Sequence, residues 1–189
     1  FKDAEGRSQT INRALKLARG AQRPSERAGL LADIACSLSA QGEFSSAKSI
    51  ARETLACGEP AFGGKLYEKE RANIKVIDGD DAVKAHAILG NVSEALALIR
   101  NTAEYKYIAL GTLVYTQAMS GDLEGAKKTL EAATAASIFD NREKDDWETE
   151  SGYVQISLAS AQLQKGDPAG AFETLKRSRG DDAFLFNAT

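Results

Sequence analysis

Apolar residues recur every three to four positions along most of this chain, with charged and polar residues between them. This is the spacing of amphipathic α-helices, in which one face packs against a core and the other meets water. Residues 8–19 form the first such segment, with Ile11 and Leu15 set among basic residues. Gly20 and Pro24 come directly after it and predict the end of the helix. The pattern as a whole predicts an all-α fold.

A glycine followed five residues later by an alanine occurs four times between the apolar segments. The four occurrences read GEFSSA, GNVSEA, GDLEGA and GDPAGA, and they begin at Gly42, Gly90, Gly121 and Gly166. Glycine adopts positive φ without steric cost, so it lets the chain reverse after a helix. The small alanine lets the returning helix approach closely. The pattern therefore predicts four helical hairpins, each of which must stack on a neighbour to bury its apolar face.

We expect these hairpins to belong to one domain that spans residues 1–189. Its predicted parts are an N-terminal capping helix (1–25), the repeat units (26–178) and a tail (180–189). A Gly- and Pro-rich loop is predicted at 58–64, and residues 65–77 after it are predicted to be helical. A second long connection, the strongly charged stretch 137–152, separates the third hairpin from the fourth.

The Gly-Asp turn with a small alanine five residues on resembles the tetratricopeptide repeat family, and the resemblance covers residues 26–178. The interval from Gly90 to Gly121 comes near the period of that family, whereas the other intervals are irregular. The tyrosine that the family carries shortly before the turn is missing. Four residues before the turns stand Leu38, His86, Gln117 and Gln162. The resemblance implies a right-handed α-α superhelix of degenerate repeats, an α-solenoid.

By the same resemblance, the first helix of each hairpin should line a concave groove. The side chains predicted to bind a partner there lie at set distances before each turn glycine. They are Ile108, Tyr115, Met119, Tyr153, Ile156 and Ser160, with Lys84 from the second hairpin. Aromatic residues and methionine are common anchors of protein-binding surfaces. Some family members hold a partner's C-terminal carboxylate in a basic clamp, but Lys84 alone could serve here, which disfavours that mode.

The charge of the chain argues against several classes of partner. Its net charge is -3 at pH 7 over 189 residues, so no overall positive field attracts nucleic acid or anionic lipid. No apolar run approaches the roughly 18 residues of a membrane span. We therefore expect a soluble chain with neither nucleic acid nor membrane as partner, and its compartment stays open. Basic residues at both predicted end helices favour a monomer.

Residues that could carry out chemistry are few. His86 is the only histidine, at a position where a core residue is expected, and a structural role is favoured over a catalytic one. Zinc sites need several Cys and His ligands, and the chain offers only His86, Cys36 and Cys57. The two cysteines are predicted to lie too far apart for a disulfide. No phosphate-binding glycine loop is present, so we predict neither a cofactor nor a catalytic residue.

Three functions are consistent with these observations. The leading hypothesis is a non-catalytic scaffold or adaptor that binds a peptide or helix of another protein in the groove. The first alternative is an accessory or regulatory domain that binds a small molecule there. The second alternative is an enzyme on a helical scaffold, in which His86, Asp78 or Asp80 takes part.

Overall fold

The structure, a computed structural model, describes residues 4–62, 64–71, 75–101, 106–135 and 144–178. These residues are mostly helical, as predicted, and they belong to two compact units. Unit 1 is Phe1–Glu104 and unit 2 is Tyr105–Thr189. The predicted tail 180–189 lies outside the described residues.

Unit 1 contains six helices and two short strands among its described residues. They are α1 (Ala4–Gly20), α2 (Pro24–Ala40), α3 (Phe44–Leu55), β1 (Glu59–Ala61), α4 (Gly64–Arg71), β2 (Val76–Asp78), α5 (Gly79–Leu89) and α6 (Val92–Arg100). Helix α2 packs against α1, α3 and α5, and α3 also packs against α5. The core between them includes Leu31, Leu38, Ile50 and Ile88, which are all buried.

Unit 2 consists, in its described part, of two helical hairpins. Its helices are α7 (Lys106–Met119), α8 (Leu123–Ala135), α9 (Lys144–Gln164) and α10 (Pro168–Ser178). Helix α7 packs against α8 and α9, and α10 packs against α9. Leu110, Leu113 and Leu158 are buried in the core of this unit.

The four predicted turns are confirmed. The turn glycines have φ of 83° at Gly42, 80° at Gly90, 90° at Gly121 and 80° at Gly166. At each turn, the N–H of the residue after the glycine donates to the carbonyl oxygen five residues earlier. These bonds run from Glu43 to Leu38, Asn91 to His86, Asp122 to Gln117 and Asp167 to Gln162, at 2.9 to 3.0 Å. This is the Schellman end of a helix, which satisfies carbonyl groups that the helix leaves unpaired.

The four alanines five residues after the turn glycines are all buried, as predicted from their small size. They are Ala47, Ala95, Ala126 and Ala171. The backbone N–H of each donates to the carbonyl oxygen of the residue that follows the glycine, at 3.0 to 3.2 Å. The alanine therefore lies in the first turn of the returning helix, where a larger side chain would push the two helices apart.

The predicted helix at 65–77 is wrong in its second half. Helix α4 ends at Arg71, and Val76–Asp78 form strand β2. This strand pairs in parallel with β1, so that Glu59 lies opposite Val76 and Ala61 opposite Asp78. Val76 and Ile77 are β-branched and buried, and such residues favour a strand over a helix. The predicted loop at 58–64 accordingly contains β1.

Candidate functional site

Helices α7 and α9 lie side by side and parallel in unit 2. The ring centroids of Tyr107 and Tyr153 are 5.7 Å apart in an edge-to-face arrangement. One turn further, a Cβ added to Gly111 would lie 2.9 Å from Ser157 Oγ. Near the end of both helices, Tyr115 Oη donates to Gln164 Oε1 at 3.2 Å. Because the contacting residues advance together along both helices, the first helices of the two hairpins point in the same direction.

These two helices carry six of the seven residues predicted to bind a partner. Of the six, Ile108, Tyr153 and Ile156 are exposed, and Tyr115, Met119 and Ser160 are half-buried. The exposed fraction is 57% for Tyr153 and 53% for Ile156, which is high for side chains of this size. We call the six residues the α7/α9 surface.

The contacts of the tyrosines hold this surface in shape. Tyr115 bonds Gln164 through its hydroxyl, and the rings of Tyr153 and Tyr107 form an edge-to-face pair. Aromatic pairs in this geometry contribute about 0.5–1.5 kcal/mol beyond their buried area. Tyr107 was missed by the sequence analysis, although it directly precedes Ile108. Gly111, on the same helix, lies against Ser157 of α9.

Lys84, the seventh predicted residue, lies in unit 1 and is held there by two carboxylates. Its Nζ donates to Asp33 Oδ1 on α2 at 3.0 Å and to Asp81 Oδ1 on its own helix at 3.2 Å. Burial by itself lowers the pKa of Lys84, but the charges and hydrogen bonds of Asp81 and Asp33 outweigh it and raise that pKa above its usual value. The ammonium is therefore charged and already paired, so a partner's carboxylate would have to displace these aspartates.

We expect Lys84→Met to lower the free energy of unfolding of unit 1 by about 1 kcal/mol at pH 7. The methionine keeps the packing of the stem but leaves the largely buried Asp81 carboxylate without its partner. Burial already raises the pKa of Asp81, and Lys84 partly offsets that rise. The stabilisation is present at neutral pH. It is lost on the acid side as Asp81 takes up its proton, and on the alkaline side as pH rises through the raised pKa of Lys84.

The measurement is urea unfolding of wild type and variant, followed by far-UV circular dichroism at pH 7 and near pH 3. Lys127→Met is the matched control, because Lys127 bonds Glu124 at 2.8 Å on an exposed helix face. Exposed pairs of this kind contribute well under about 1 kcal/mol. Equal losses for the two variants at pH 7, or a loss at Lys84 that persists in acid, would contradict the assigned role of the buried pair.

The residues named for a possible enzyme lie in α5 or directly before it. Asp78 caps α5, since its Oδ1 accepts from the Asp80 N–H at 2.9 Å. His86 Nδ1 is buried and has no hydrogen-bond partner among the described residues, and burial lowers the pKa of this imidazole. Within the described ranges, no three His, Cys, Asp or Glu side chains group as metal ligands. Cys36 and Cys57 are half-buried and form no disulfide with each other in this structure.

An apolar cavity of about 390 Å³ lies between α1 and α2 in unit 1. Its lining includes Ile11, Leu17, Leu30 and Ile34, with Asp33 at its polar side. Ligand sites for small molecules begin at about 300 Å³, so this cavity is large enough for one. The small-molecule alternative therefore has a candidate site here, on the face of unit 1 between the capping helix and the first hairpin.

Comparison with known proteins adds no family assignment, because no protein-family model, no curated protein sequence and no solved structure matches the chain. In the part of the chain that the structure describes, no helix combines the length and the apolar character that crossing a membrane requires.

Proposed function

We propose that this protein is a non-catalytic interaction scaffold or adaptor. In this proposal its hairpins form a tetratricopeptide-like, right-handed α-α superhelix, and a concave surface of that superhelix binds a peptide or helix of another protein. The binding residues are those of the α7/α9 surface. Lys84 stabilises unit 1 through Asp33 and Asp81 and does not form a carboxylate clamp in this proposal.

The repeated hairpin geometry supports the solenoid part of the proposal. All four turns share one hydrogen-bond pattern, and all four alanines are buried. In unit 1, α5 meets α2 through Asp33 and Lys84, and also where a Cβ added to Gly29 would lie 3.1 Å from Asp81 Oδ2. Helices α2 and α5 are therefore parallel, as α7 and α9 are. Successive hairpins that repeat one neighbour relation are the basis of a solenoid.

The exposed side chains of the α7/α9 surface are the observation that carries the binding part. Tyr153, Ile156 and Ile108 expose apolar area on two helices that are already fixed by their mutual contacts. Rigid aromatic anchors lose little conformational entropy on binding and are enriched among residues that dominate binding energy. An extended or helical peptide with apolar side chains fits such a surface, since the surface offers few charged groups.

Selection from a phage-displayed random peptide library tests the proposal. We expect wild type to enrich peptides with apolar anchors, and Tyr115→Ala/Tyr153→Ala to bind those peptides at least about tenfold more weakly in fluorescence anisotropy. Tyr153→Ala alone removes an exposed side chain, so it tests the surface even where the double variant loses stability. Thermal melting of each variant establishes that it is folded.

Phe44→Ala is the matched control, because Phe44 is an exposed aromatic residue on α3 of unit 1. It should leave peptide affinity unchanged. Peptides that bind wild type and both tyrosine variants equally would overturn the assigned surface. A selection that enriches no peptide would count against the scaffold function itself.

A further inference from the structure

The two hairpins of unit 2 repeat one another residue by residue. Both carry the pattern Q-x-x-x-G-D-x-x-G-A-x-x-T-L, which begins at Gln117 in the first hairpin and at Gln162, 45 residues later, in the second. The hydrogen bond at the start of the second helix is repeated with the pattern. Asp122 Oδ1 accepts from the Gly125 N–H at 2.9 Å, and Asp167 Oδ1 accepts from the Gly170 N–H at 2.8 Å. Residues 151–178 of α9–α10 therefore have equivalents 45 positions earlier, in the hairpin α7–α8.

The face of α7–α8 that meets the next hairpin is known from the contacts of α9. Gly111 lies against Ser157, and Ala118 is buried. On α8, Leu130 is half-buried and α8 packs against α9, whereas Lys127 is partly exposed and bonds Glu124. The second hairpin thus packs against small positions of α7 and lies beside α8.

The equivalent face of α9–α10 is apolar and exposed. Its residues are Ile156, Leu163, Phe172 and Leu175, which correspond to Gly111, Ala118, Lys127 and Leu130. Phe172 exposes 65% of its surface and Leu163 exposes 56%. We call these four residues the end face, which shares Ile156 with the α7/α9 surface. Three of the four side chains replace a small or charged equivalent, and the fourth is a leucine in both hairpins. A capping helix of a repeat stack needs a polar outer face instead.

We propose that the end face is the contact between two copies of this chain, related by a two-fold axis. In head-to-tail stacking the end face would meet the first hairpin, which α1 already covers in part: α1 packs on α2, and Arg19 bonds Glu53 of α3 at 2.8 and 2.9 Å. End face against end face pairs two equally apolar surfaces, and two-fold dimers are the commonest oligomers.

The charges beside the end face suit a second copy of this chain as the binding partner. Glu173 and Lys176 are both exposed on α10, next to Phe172 and Leu175 in sequence. In a two-fold pairing of antiparallel α10 helices, Glu173 of each copy lies within reach of Lys176 of the other. The four apolar side chains cover less than the about 800 Å² per partner of a standard interface, so a dimer of micromolar or weaker affinity is expected.

Sedimentation velocity over about 5 to 500 µM tests the dimer. The weight-average mass of wild type should rise from 20.2 kDa towards twice that value as concentration increases. Phe172→Lys places on α10 the residue that α8 carries at the equivalent position, and it should raise the dimer dissociation constant at least about tenfold. Leu17→Lys is the control, because Leu17 is a comparably exposed apolar residue on α1.

Dissociation by Phe172→Lys but not by Leu17→Lys, with unchanged melting temperatures at low concentration, would support the proposal. A wild type that is monomeric throughout would overturn it. If Phe172→Lys then also lowers the melting temperature, another segment of the same chain covers the face. A dimer that both variants leave intact would place self-association elsewhere. Peptide binding at Tyr153 is measured separately and does not decide any of these outcomes.

Discussion

Leu113→Ala is expected to lower the free energy of unfolding of unit 2 by about 3 kcal/mol. Leu113 lies on α7 and is completely buried. The substitution removes three carbon atoms from a packed core, and the surrounding helices close the cavity only in part. Leu158 is the equivalent residue on α9 and is also buried, so Leu158→Ala should cost a similar amount.

The position of the single tryptophan makes this loss measurable in one unit. Trp147 is the only tryptophan of the chain and belongs to α9. Any change of its fluorescence in urea reports unit 2, whereas far-UV circular dichroism reports both units together. Comparison of the two signals also shows whether the units unfold in one transition or two.

Leu163→Ala is the control for this core prediction. Leu163 lies one and a half turns after Leu158 on the same helix, but it is exposed. At a protein concentration too low for self-association, its replacement should cost less than about 1 kcal/mol. Equal losses at Leu113 and Leu163 would mean that the burial assigned to α7 and α9 is wrong.

The parts of the fold that depend on single residues were visible in the sequence. A turn glycine is recognisable because positive φ is a property of one residue, and a buried small alanine is recognisable because its place relative to that glycine is constant. The sequence therefore located all four turns, at Gly42, Gly90, Gly121 and Gly166.

The parts that depend on distant pairing were not visible. Strand β2 exists because Val76 and Ile77 find a partner at Glu59 and Pro60, across an intervening helix. A run of two or three apolar residues does not distinguish a strand from a helix, so the analysis extended the helix through it. The pairing of β1 with β2 brings together residues that are far apart in sequence, so the hydrophobic pattern could not show that α4 ends at Arg71.

The candidate site shows the same division. Counting from the turn glycines located Tyr115 and Tyr153 on neighbouring helices, because the count measures position along a helix. It could not reveal that Lys84 is bonded to Asp33, since those two residues lie on different hairpins. The repeated Gln117 and Gln162 were visible only as departures from the family pattern. The pattern that they begin, which relates the two hairpins of unit 2, was missed although it is present in the sequence.

Gly121→Ala is expected to lower the free energy of unfolding of unit 2 by about 1–2 kcal/mol, because it forces an L-residue into the left-handed region. The φ at this position is 90°, which L side chains rarely adopt. The expected loss is that of the strained backbone conformation. Gly121→Asn should recover part of it, since asparagine tolerates this conformation better than alanine.

Gly152→Ala is a control in the same unit, and it should raise the free energy of unfolding that Gly121→Ala lowers. A Cβ added to Gly152 would meet nothing within 4 Å, and Gly152 lies inside helix α9 without positive φ. Alanine is favoured over glycine in a helix interior by about 0.8–1 kcal/mol, so this variant should be more stable than wild type. Both substitutions add one methyl group, and urea unfolding followed by far-UV circular dichroism compares both variants with wild type. If both change stability in the same direction, the left-handed turn at Gly121 is not what joins α7 to α8.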